Sequence, residues 1–336
     1  METPFFTVVV PVYKAEAYLE ACLETLAGQS FAQYEVILVD DGSPDNSGAI
    51  CDAWQLRYPH MFRVIHQKNG GQVMARMAAV WEAKGEFLVF VDSDDMLRTD
   101  ALEIIAGYIR RYQADMVIYN LAVDPDYSKR VGPVLFEDGQ VVTLEHSDKL
   151  RKLLCGSFAL NSMCRKAVRR CLVRSNWDFS SVAHIRNGED LLQSLPIMES
   201  AKRIVYADQN LYFYRENPQS VTNVPNPRLF RSLRDVLRIQ RQYAEKWDAT
   251  GQLSQLCDTH GLLVFFDDVI VKICRSPLSW KEKRNCLLEV VTDADFLRDY
   301  AYLRRIPSAK ARLSLALARH RCFLPLLLYG TLRNEL

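Results

Sequence analysis

The 336-residue sequence contains no uncharged apolar run of eighteen or more residues, which argues against a membrane-spanning helix. Residues 5–10 are apolar apart from Thr7, but Pro11 follows at once and no basic segment precedes them. We therefore expect a first β-strand at this point and not a secretory signal peptide. The expected location is the cytoplasm.

The sequence also lacks a strong net charge and closely spaced cysteine pairs. Forty-two basic and 41 acidic side chains give a formal charge of +1, so no general attraction to nucleic acid is expected. None of the nine cysteines forms a Cys-x-x-Cys pair. This spacing argues against a structural zinc site and favours buried thiols in a reducing compartment.

The first 120 residues alternate predicted strands and helices with short connections. The predicted strands are residues 6–10, 35–39, 62–66, 87–91 and 116–119, and the predicted helices are residues 15–27, 46–57, 72–83 and 100–111. This order predicts an α/β fold with a Rossmann-like, mostly parallel sheet. Binding and catalytic groups should collect in the loops at the carboxyl ends of its strands.

Beyond residue 124 the alternation stops. We predict a hairpin from residues 134–136 and 140–143, a helix at 147–155, a helix beginning near Glu189, and short strands at 203–206 and 211–214. Helices are predicted at 228–246, 253–274 and 280–290. Residues 222–227 have the composition of a linker, so the predicted domains are 1–222, with halves 1–120 and 121–222, and a helical region 223–336.

An acidic cluster follows the fourth predicted strand. That strand is a short apolar run rich in Val and Phe, and Asp92, Asp94 and Asp95 come directly after it. Without a cation between them, at least one of these carboxyl groups should be driven towards protonation. Oxygen ligands at this density suit Mg²⁺ or Mn²⁺. The alternative is a solvated acidic turn before the next helix.

Other loops at the same predicted edge of the sheet complement these acids. Pro11 and Tyr13 follow the first predicted strand, Asp41 follows the second, and Lys68 with Gly70-Gly71 follows the third. Arg76 lies in the next predicted helix. An aromatic ring, acceptors for base and ribose, and cations for phosphate are what a nucleoside diphosphate requires.

These motifs together resemble those of inverting family 2 glycosyltransferases of the GT-A fold. They are Val-Val-Val-Pro-Val-Tyr at 8–13, Val-Asp-Asp-Gly-Ser at 39–43, Lys-Asn-Gly-Gly at 68–71, Ala-Arg at 75–76, the acidic strand end at 85–95, and Gly-Glu-Asp-Leu-Leu at 188–192. The resemblance covers residues 5–222. It implies a nucleotide-diphospho-sugar transferase with a divalent Mn²⁺ or Mg²⁺ cofactor.

The resemblance also implies roles for individual residues. The donor side is assigned to Pro11, Tyr13, Asp41, Lys68, Arg76, Asp92 and Asp95. Asp41 would receive the nucleobase beside Tyr13, and Asp92 would contact ribose or metal. Asp94 would ligate the metal that bridges the diphosphate, and Asp95 would orient the sugar. Lys68 and Arg76 would contact nucleotide or phosphate.

Asp190 resembles the catalytic base of this family, which deprotonates the acceptor hydroxyl as it attacks the anomeric carbon. Taken alone, the pair Glu189-Asp190 is more typical of an acidic first turn favoured by the helix dipole, and the surrounding motifs favour the catalytic role. Glu189 and Arg215, the latter in a Tyr-x-Tyr-Arg segment, are further site candidates. Where many relatives read Leu-Ser-Ala-Ala-Arg-Asn, this chain has Gln-Val-Met-Ala-Arg-Met at 72–77, so two polar partners are missing.

The last 36 residues are basic and rich in leucine. They contain seven Lys or Arg residues and a single acid, Glu335. Such a segment is suited to the anionic inner face of a membrane. A helix packed on its own protein, with its arginines in water, has the same pattern.

The sequence thus predicts a hexosyltransferase-type enzyme that moves a sugar, most consistently from a UDP-sugar, to a glycan or lipid-linked glycan hydroxyl in surface polysaccharide synthesis. Two alternatives stay open. One is a catalytically inactive nucleotide-sugar-binding or scaffold protein of a polysaccharide assembly complex. The other is a phosphotransferase of the haloacid dehalogenase type, whose Asp-x-Asp motif also follows a buried strand but normally opens its domain.

Overall fold

A computed structural model describes residues 3–176, 185, 187–216 and 229–332, which form two compact units. Of these residues, the first unit contains 3–147, 160–176 and 193–216. The second unit contains 148–159, 185, 187–192 and 229–332. The predicted linker at 222–227 lies outside the described residues. Two short segments from within the predicted domain 1–222 thus belong to the second unit.

The first unit is built on one mixed sheet. Its strands are β1 (Phe6–Val12), β2 (Tyr34–Asp40), β3 (Phe62–His66), β4 (Phe87–Phe90), β5 (Met96–Leu97), β6 (Met116–Ala122), β7 (Val141–Val142), β8 (Lys166–Arg169) and β9 (Ile204–Phe213). Within the described residues the strand order is β3-β2-β1-β4-β8-β6-β9-β5, and β7 pairs with β9. The α/β class with a mostly parallel sheet is the one that the sequence predicted.

Strands β1 to β4 pair in parallel, as do β6 and β9, and all five predicted strands of the first 120 residues are present. Every residue of β1 is buried, as expected for a Val-rich strand covered on both faces. The helices of the first unit are α1 (Leu19–Ala27), α2 (Ser47–Arg57), α3 (Gln72–Glu82), α4 (Ala101–Tyr112) and α6 (Arg170–Asn176). Helix α1 begins four residues later than predicted.

Gly85 allows β4 to approach β1 closely at the start of the strand. A Cβ atom on this residue would lie 2.3 Å from the backbone nitrogen of Thr7 and 2.4 Å from the carbonyl carbon of Phe6. Real side chains never reach such distances, so no other residue fits without movement of the backbone. The central position of β4 therefore depends on a glycine at its N-terminal end.

The predictions beyond residue 124 need three corrections. The expected hairpin of 134–136 with 140–143 is wrong, because Val141 and Val142 pair with β9 instead. The two short strands predicted at 203–206 and 211–214 are one continuous strand, β9. The antiparallel strand β8, which joins β4 to β6, was not predicted.

The second unit is helical. It contains α5 (Asp148–Gly156), the first turn of α7 (Glu189–Ser200), α8 (Leu229–Trp247), α9 (Gln252–Val264), α10 (Val271–Arg275), α11 (Trp280–Thr292), α12 (Ala294–Asp299), α13 (Ala309–Arg319) and α14 (Phe323–Leu332). A π-helical segment, Phe265–Ile270, links α9 to α10, so the predicted helix 253–274 is continuous. The predicted helical C-terminal region is confirmed.

Helix α5 belongs to this unit because of its packing. Cys155 of α5 lies in a buried cluster with Ala244, Leu253 and Cys257. The buried amide of Gln240 donates a 2.6 Å hydrogen bond to the carbonyl oxygen of Leu154. In the described part of the chain, no helix is both long and apolar enough to cross a membrane.

Candidate active site

The carboxyl ends of the first three strands are joined by backbone hydrogen bonds. The N–H of Asp41 donates to the carbonyl oxygen of Val12 (2.9 Å), and the N–H of Gln67 donates to that of Asp40 (2.9 Å). The loops that carry Tyr13, Asp41 and Lys68 therefore start side by side at one edge of the sheet. This is the convergence that the sequence predicted for these three loops.

Asp41 holds the glycine loop that follows β3. Its side chain is almost fully buried, and it accepts hydrogen bonds from the side-chain amide of Gln67 (2.7 Å) and the backbone N–H groups of Gly70 (2.8 Å) and Gly71 (2.7 Å). Gly71 has a φ of 90° immediately before α3, a conformation that favours glycine. The carboxylate has about four lone-pair positions, and these three hydrogen bonds leave one acceptor position over.

Tyr13 offers an aromatic surface beside this loop. Its side chain is 46% exposed, and the ammonium nitrogen of Lys14 lies 5.4 Å from the centre of its ring. Pro11, by contrast, lies inside β1 and pairs with Val39 of β2. Lys68 is exposed. Of these residues, Tyr13 and Lys68 are therefore accessible to a ligand, whereas Pro11 shapes the strand.

Two side chains of α3 fix the carboxylate of Asp92. The Oδ1 atom of Asp92 accepts a hydrogen bond from the Gln72 amide (2.8 Å) and an ion-paired one from the Arg76 guanidinium (3.0 Å). Arg76 is fully buried, whereas the Asp92 side chain is 26% exposed. Gln72 and Arg76 are four residues apart and so lie on one face of the helix. Gln72 thus supplies a polar contact in the segment that departs from many relatives.

The end of β9 supports the acidic turn. The hydroxyl group of Tyr212 donates to the carboxylate of Asp95 (2.6 Å) and accepts a hydrogen bond from the N–H of Asp92 (3.1 Å). Arg215 donates its backbone N–H to the Asp95 carboxylate (2.7 Å) and its Nε–H to the carbonyl oxygen of Asp94 (2.8 Å). Arg215 therefore contacts the acidic cluster, as expected of a residue of the candidate site.

Asp95 is the carboxyl group that the cluster drives towards protonation. Burial, followed by the negative charges of Asp92 and Asp94, raises its pKa to about 8, and the hydrogen bonds from Tyr212 and Arg215 only partly oppose this. The Asp95 carboxyl group therefore holds its proton more tightly than an ordinary aspartate does. The expectation that one member of the cluster would shift in this direction is confirmed.

Tyr214 is a further residue at this position. Its side chain is 40% exposed, and burial together with the charges of Asp95, Asp92 and Asp94 raises its pKa. It thus combines an accessible ring with proximity to the acids. In the sequence analysis Tyr214 is only part of the Tyr-x-Tyr-Arg segment, and no contact was predicted for it.

Glu189 and Asp190 lie in the first turn of α7, in the second unit, so the predicted helix start is confirmed. Both side chains are partly buried. Gly188, just before them, has a φ of 84°, and a Cβ atom there would lie 3.1 Å from the side chain of Val236. The backbone that presents Asp190 therefore requires glycine. The role of Asp190 as a base stays a prediction.

The acidic turn offers some of the ligands that a divalent ion requires. Among the described residues, no group of three or more His, Cys, Asp or Glu side chains is arranged to hold a metal. Mg²⁺ and Mn²⁺ are commonly held by one or two carboxylates, with substrate phosphates and water completing the shell. The partly exposed Asp92 and Asp94 suit that arrangement, whereas the carboxylate of Asp95 is already bonded to Tyr212 and Arg215.

Comparisons with known proteins agree with this geometry. Residues 7–172 match the model of the family described as glycosyl transferase family 2. The glycosyltransferase GlyG of Streptococcus pneumoniae is 32% identical over 222 residues, which cover 64% of this chain and 72% of that protein. The uncharacterized glycosyltransferase EpsJ of Bacillus subtilis is 27% identical over 291 residues, covering 86% and 84%.

A similar solved structure is that of Staphylococcus aureus TarS, residues 1–349, in complex with UDP-GlcNAc. Its TM-score is 0.68 at 22% identity, covering 94% of this chain and 87% of that one. This likeness concerns the fold, and the GT-A class expected from the sequence is confirmed.

Proposed function

The chain belongs to glycosyl transferase family 2 and is a glycosyltransferase, and from this premise we propose that it moves a sugar from UDP to a hydroxyl group of a glycan or lipid-linked glycan. The observation that carries the proposal is the continuous set of contacts along one edge of the sheet. It leads from the loop of Tyr13 through Asp41 and the glycine loop to α3 and Asp92. UDP is favoured because a protein of the same fold was solved with UDP-GlcNAc.

Each part of this edge has a task in donor binding. The exposed ring of Tyr13 would stack on the base, and the remaining acceptor position of Asp41 would take the N–H group of uracil. Lys68 would contact a phosphate oxygen. Asp92, held by Arg76, would accept from the ribose or face the metal. The ring of Tyr214 would line the side of the sugar.

Asp190 would act as the general base in a single displacement. Its carboxylate removes the proton of the acceptor hydroxyl while that oxygen attacks the anomeric carbon, and the bond from this carbon to the diphosphate breaks with inversion. A divalent ion bound by Asp94 and Asp92 would supply charge neutralisation of the leaving diphosphate. Binding also brings the donor into a fixed orientation, which contributes to the rate independently of the base.

A thermal-shift screen of nucleotides and nucleotide sugars, with and without Mn²⁺, tests the donor and the metal together. A ligand that binds only the folded state raises the melting temperature. We expect UDP and a UDP-sugar to do so, and Mn²⁺ to increase the shift. Asp94→Asn should remove the Mn²⁺-dependent part while keeping the fold.

The matched control is Asp126→Asn, which replaces an aspartate in an exposed loop of the same unit, outside the proposed site. It should keep the full Mn²⁺ effect. Stabilisation by GDP-linked or other nucleotides in place of UDP would contradict the assignment of the donor. An unchanged Mn²⁺ effect in Asp94→Asn would contradict the metal ligand.

We also propose that the C-terminal helices bind the anionic surface of a membrane. The side chains of Leu313 on α13 and Leu324 on α14 are 63% and 60% exposed. The segment that carries them has six basic residues and no acid: Arg304, Arg305, Lys310, Arg312, Arg319 and Arg321. Each basic residue near such a surface contributes about 1 kcal/mol. The exposed leucines and the basic residues thus both favour contact with an anionic membrane surface.

Co-sedimentation with vesicles tests this contact. The protein should pellet with vesicles that contain phosphatidylglycerol and stay in solution with pure phosphatidylcholine, and raised salt should release it. Leu313→Ser with Leu324→Ser should reduce the pelleted fraction severalfold. Leu56→Ser changes an 84% exposed leucine on α2 and should have no effect. Equal binding to both vesicle types, or an unaffected double variant, would refute the proposal.

A further inference from the structure

Gln193, in the second turn of α7, is a fully buried amide with no role in the mechanism above. We propose that Gln193 is a positioning residue that holds the guanidinium of Arg76, and through it the carboxylate of Asp92, in the orientation that the donor requires. This inference rests on the proposed function, because it assigns Asp92 to the donor side.

The contacts run in one direction from α7 to the acidic turn. The side-chain oxygen of Gln193 accepts a hydrogen bond from Nη1 of Arg76 at 3.1 Å. The other terminal nitrogen of Arg76, Nη2, donates to Oδ1 of Asp92 at 3.0 Å. Gln193 and Arg76 are both 0% exposed, and they are 117 positions apart in the chain. Neither contact is therefore a local by-product of helix geometry.

Burial makes the orientation of Arg76 depend on its partners. A guanidinium is planar and carries its donors in a fixed fork, so placing Nη1 against Gln193 fixes the direction of Nη2. The guanidinium carbon Cζ of Arg76 also lies 5.9 Å from the centre of the Phe90 ring. This contact limits the position of the guanidinium but not its rotation. Replacing Gln193 by an apolar residue would leave Nη1 to find another acceptor in a dry site, and the fork would turn.

The ion pair between Arg76 and the partly exposed Asp92 is one of the contacts that orient this carboxylate. Oδ1 of Asp92 is occupied by Arg76 and Gln72, so the carboxylate has a defined direction towards a ligand.

The test measures the dissociation constant of UDP with Mn²⁺ for the full chain by calorimetry. Gln193→Leu keeps the side-chain size but removes the acceptor, and we expect the constant to rise at least tenfold. Gln193→Glu retains an acceptor oxygen at the same position and should stay within about threefold of the native value. In an Arg76→Met background, Gln193→Leu should add less than a twofold change, because the contact it breaks is already gone.

Gln240→Leu is the matched control for a purely structural effect. Gln240 is also a 0% exposed glutamine, but its amide bonds the carbonyl oxygen of Leu154 in the helical unit. It should lower the melting temperature and leave UDP binding unchanged. Equal losses in the Leu and Glu variants at position 193, or additive losses with Arg76→Met, would overturn the positioning role.

A crystal structure of Gln193→Leu separates this proposal from the proposed function. If the native protein does not bind UDP, the donor assignment fails. The crystal structure of the variant still shows whether Gln193 orients Arg76. A turned guanidinium with a broken contact to Asp92 would support the role. Arg76 and Asp92 in unchanged positions would overturn it, whatever the ligand is.

Discussion

Asp190→Asn should reduce turnover by at least about 10³-fold while leaving the affinity for the nucleotide donor within about twofold. The amide has the size of the carboxylate but no basicity, so proton removal from the acceptor hydroxyl is lost. Donor binding is assigned to other residues and should persist. Transfer from a radiolabelled UDP-sugar to an acceptor panel, together with calorimetry of UDP binding, measures both quantities.

Asp148→Asn is the matched control for this prediction. Asp148 is also an aspartate in the first turn of a helix of the second unit, and its exposed side chain pairs with Lys152. Its replacement should leave turnover within about twofold, since surface ion pairs contribute little. Turnover that persists in Asp190→Asn would show that another group accepts the proton. Donor binding without turnover in the native chain would favour the inactive scaffold protein.

On acidification the native protein should lose about 3 kcal/mol of its free energy of unfolding through His260, and His260→Leu should abolish this loss. Burial lowers the pKa of His260 from 6.5 to about 4, and the charge of Asp268 opposes this only weakly. Below pH 6.5 the imidazole of His260 is therefore protonated in the unfolded chain, whereas in the folded chain it stays neutral down to about pH 4. The native protein should lose this stability as pH falls through that window, and the variant should not.

The packing of His260 explains why it stays neutral. Its ring meets Phe158 edge-to-face at 4.6 Å, and among the described residues its Nδ1 atom has no hydrogen-bond partner. Urea unfolding at pH 7.5 and pH 4.5 gives the difference, with His146→Gln as the control because His146 is 78% exposed. An equal loss of stability in native and His260→Leu proteins would mean that this histidine is not the sensor.

Strands β1, β2 and β4 were predictable because nearly all of their residues are buried. Such strands form unbroken apolar runs, and β1 to β4 were found to within a few residues. Strand β8 gave no such signal, since Lys166 and Arg169 are half of its four residues. The buried Lys166 ammonium donates hydrogen bonds to the carbonyl oxygens of Leu160, Asn161 and Ser162, which compensate for its loss of water. Hydrogen bonds of this kind cannot be predicted from the order of apolar and polar residues in the sequence.

The site shows the same division. The acidic turn, Tyr13, Asp41 and Arg76 were identifiable because strand order brings loop ends together and because their motifs are specific. The contacts that orient these residues come from distant positions, such as Tyr212 to Asp95 across 117 residues. Gln72 had one available signal, its spacing of four from Arg76 on a helix. Gln193 had none, because a glutamine on a helix is usually solvated.

The late position of β8 has a consequence for synthesis on the ribosome. Strands β1 to β4 can pair once residue 90 has emerged, but in the described part of the chain the second edge of β4 pairs with Lys166–Arg169. Synthesis proceeds at about 5–20 residues per second, so this apolar edge of β4 stays unpaired for several seconds before β8 emerges. An uncovered strand of this kind is a template for pairing between chains. Nascent or truncated products that end between these strands should therefore depend on chaperones to stay out of aggregates.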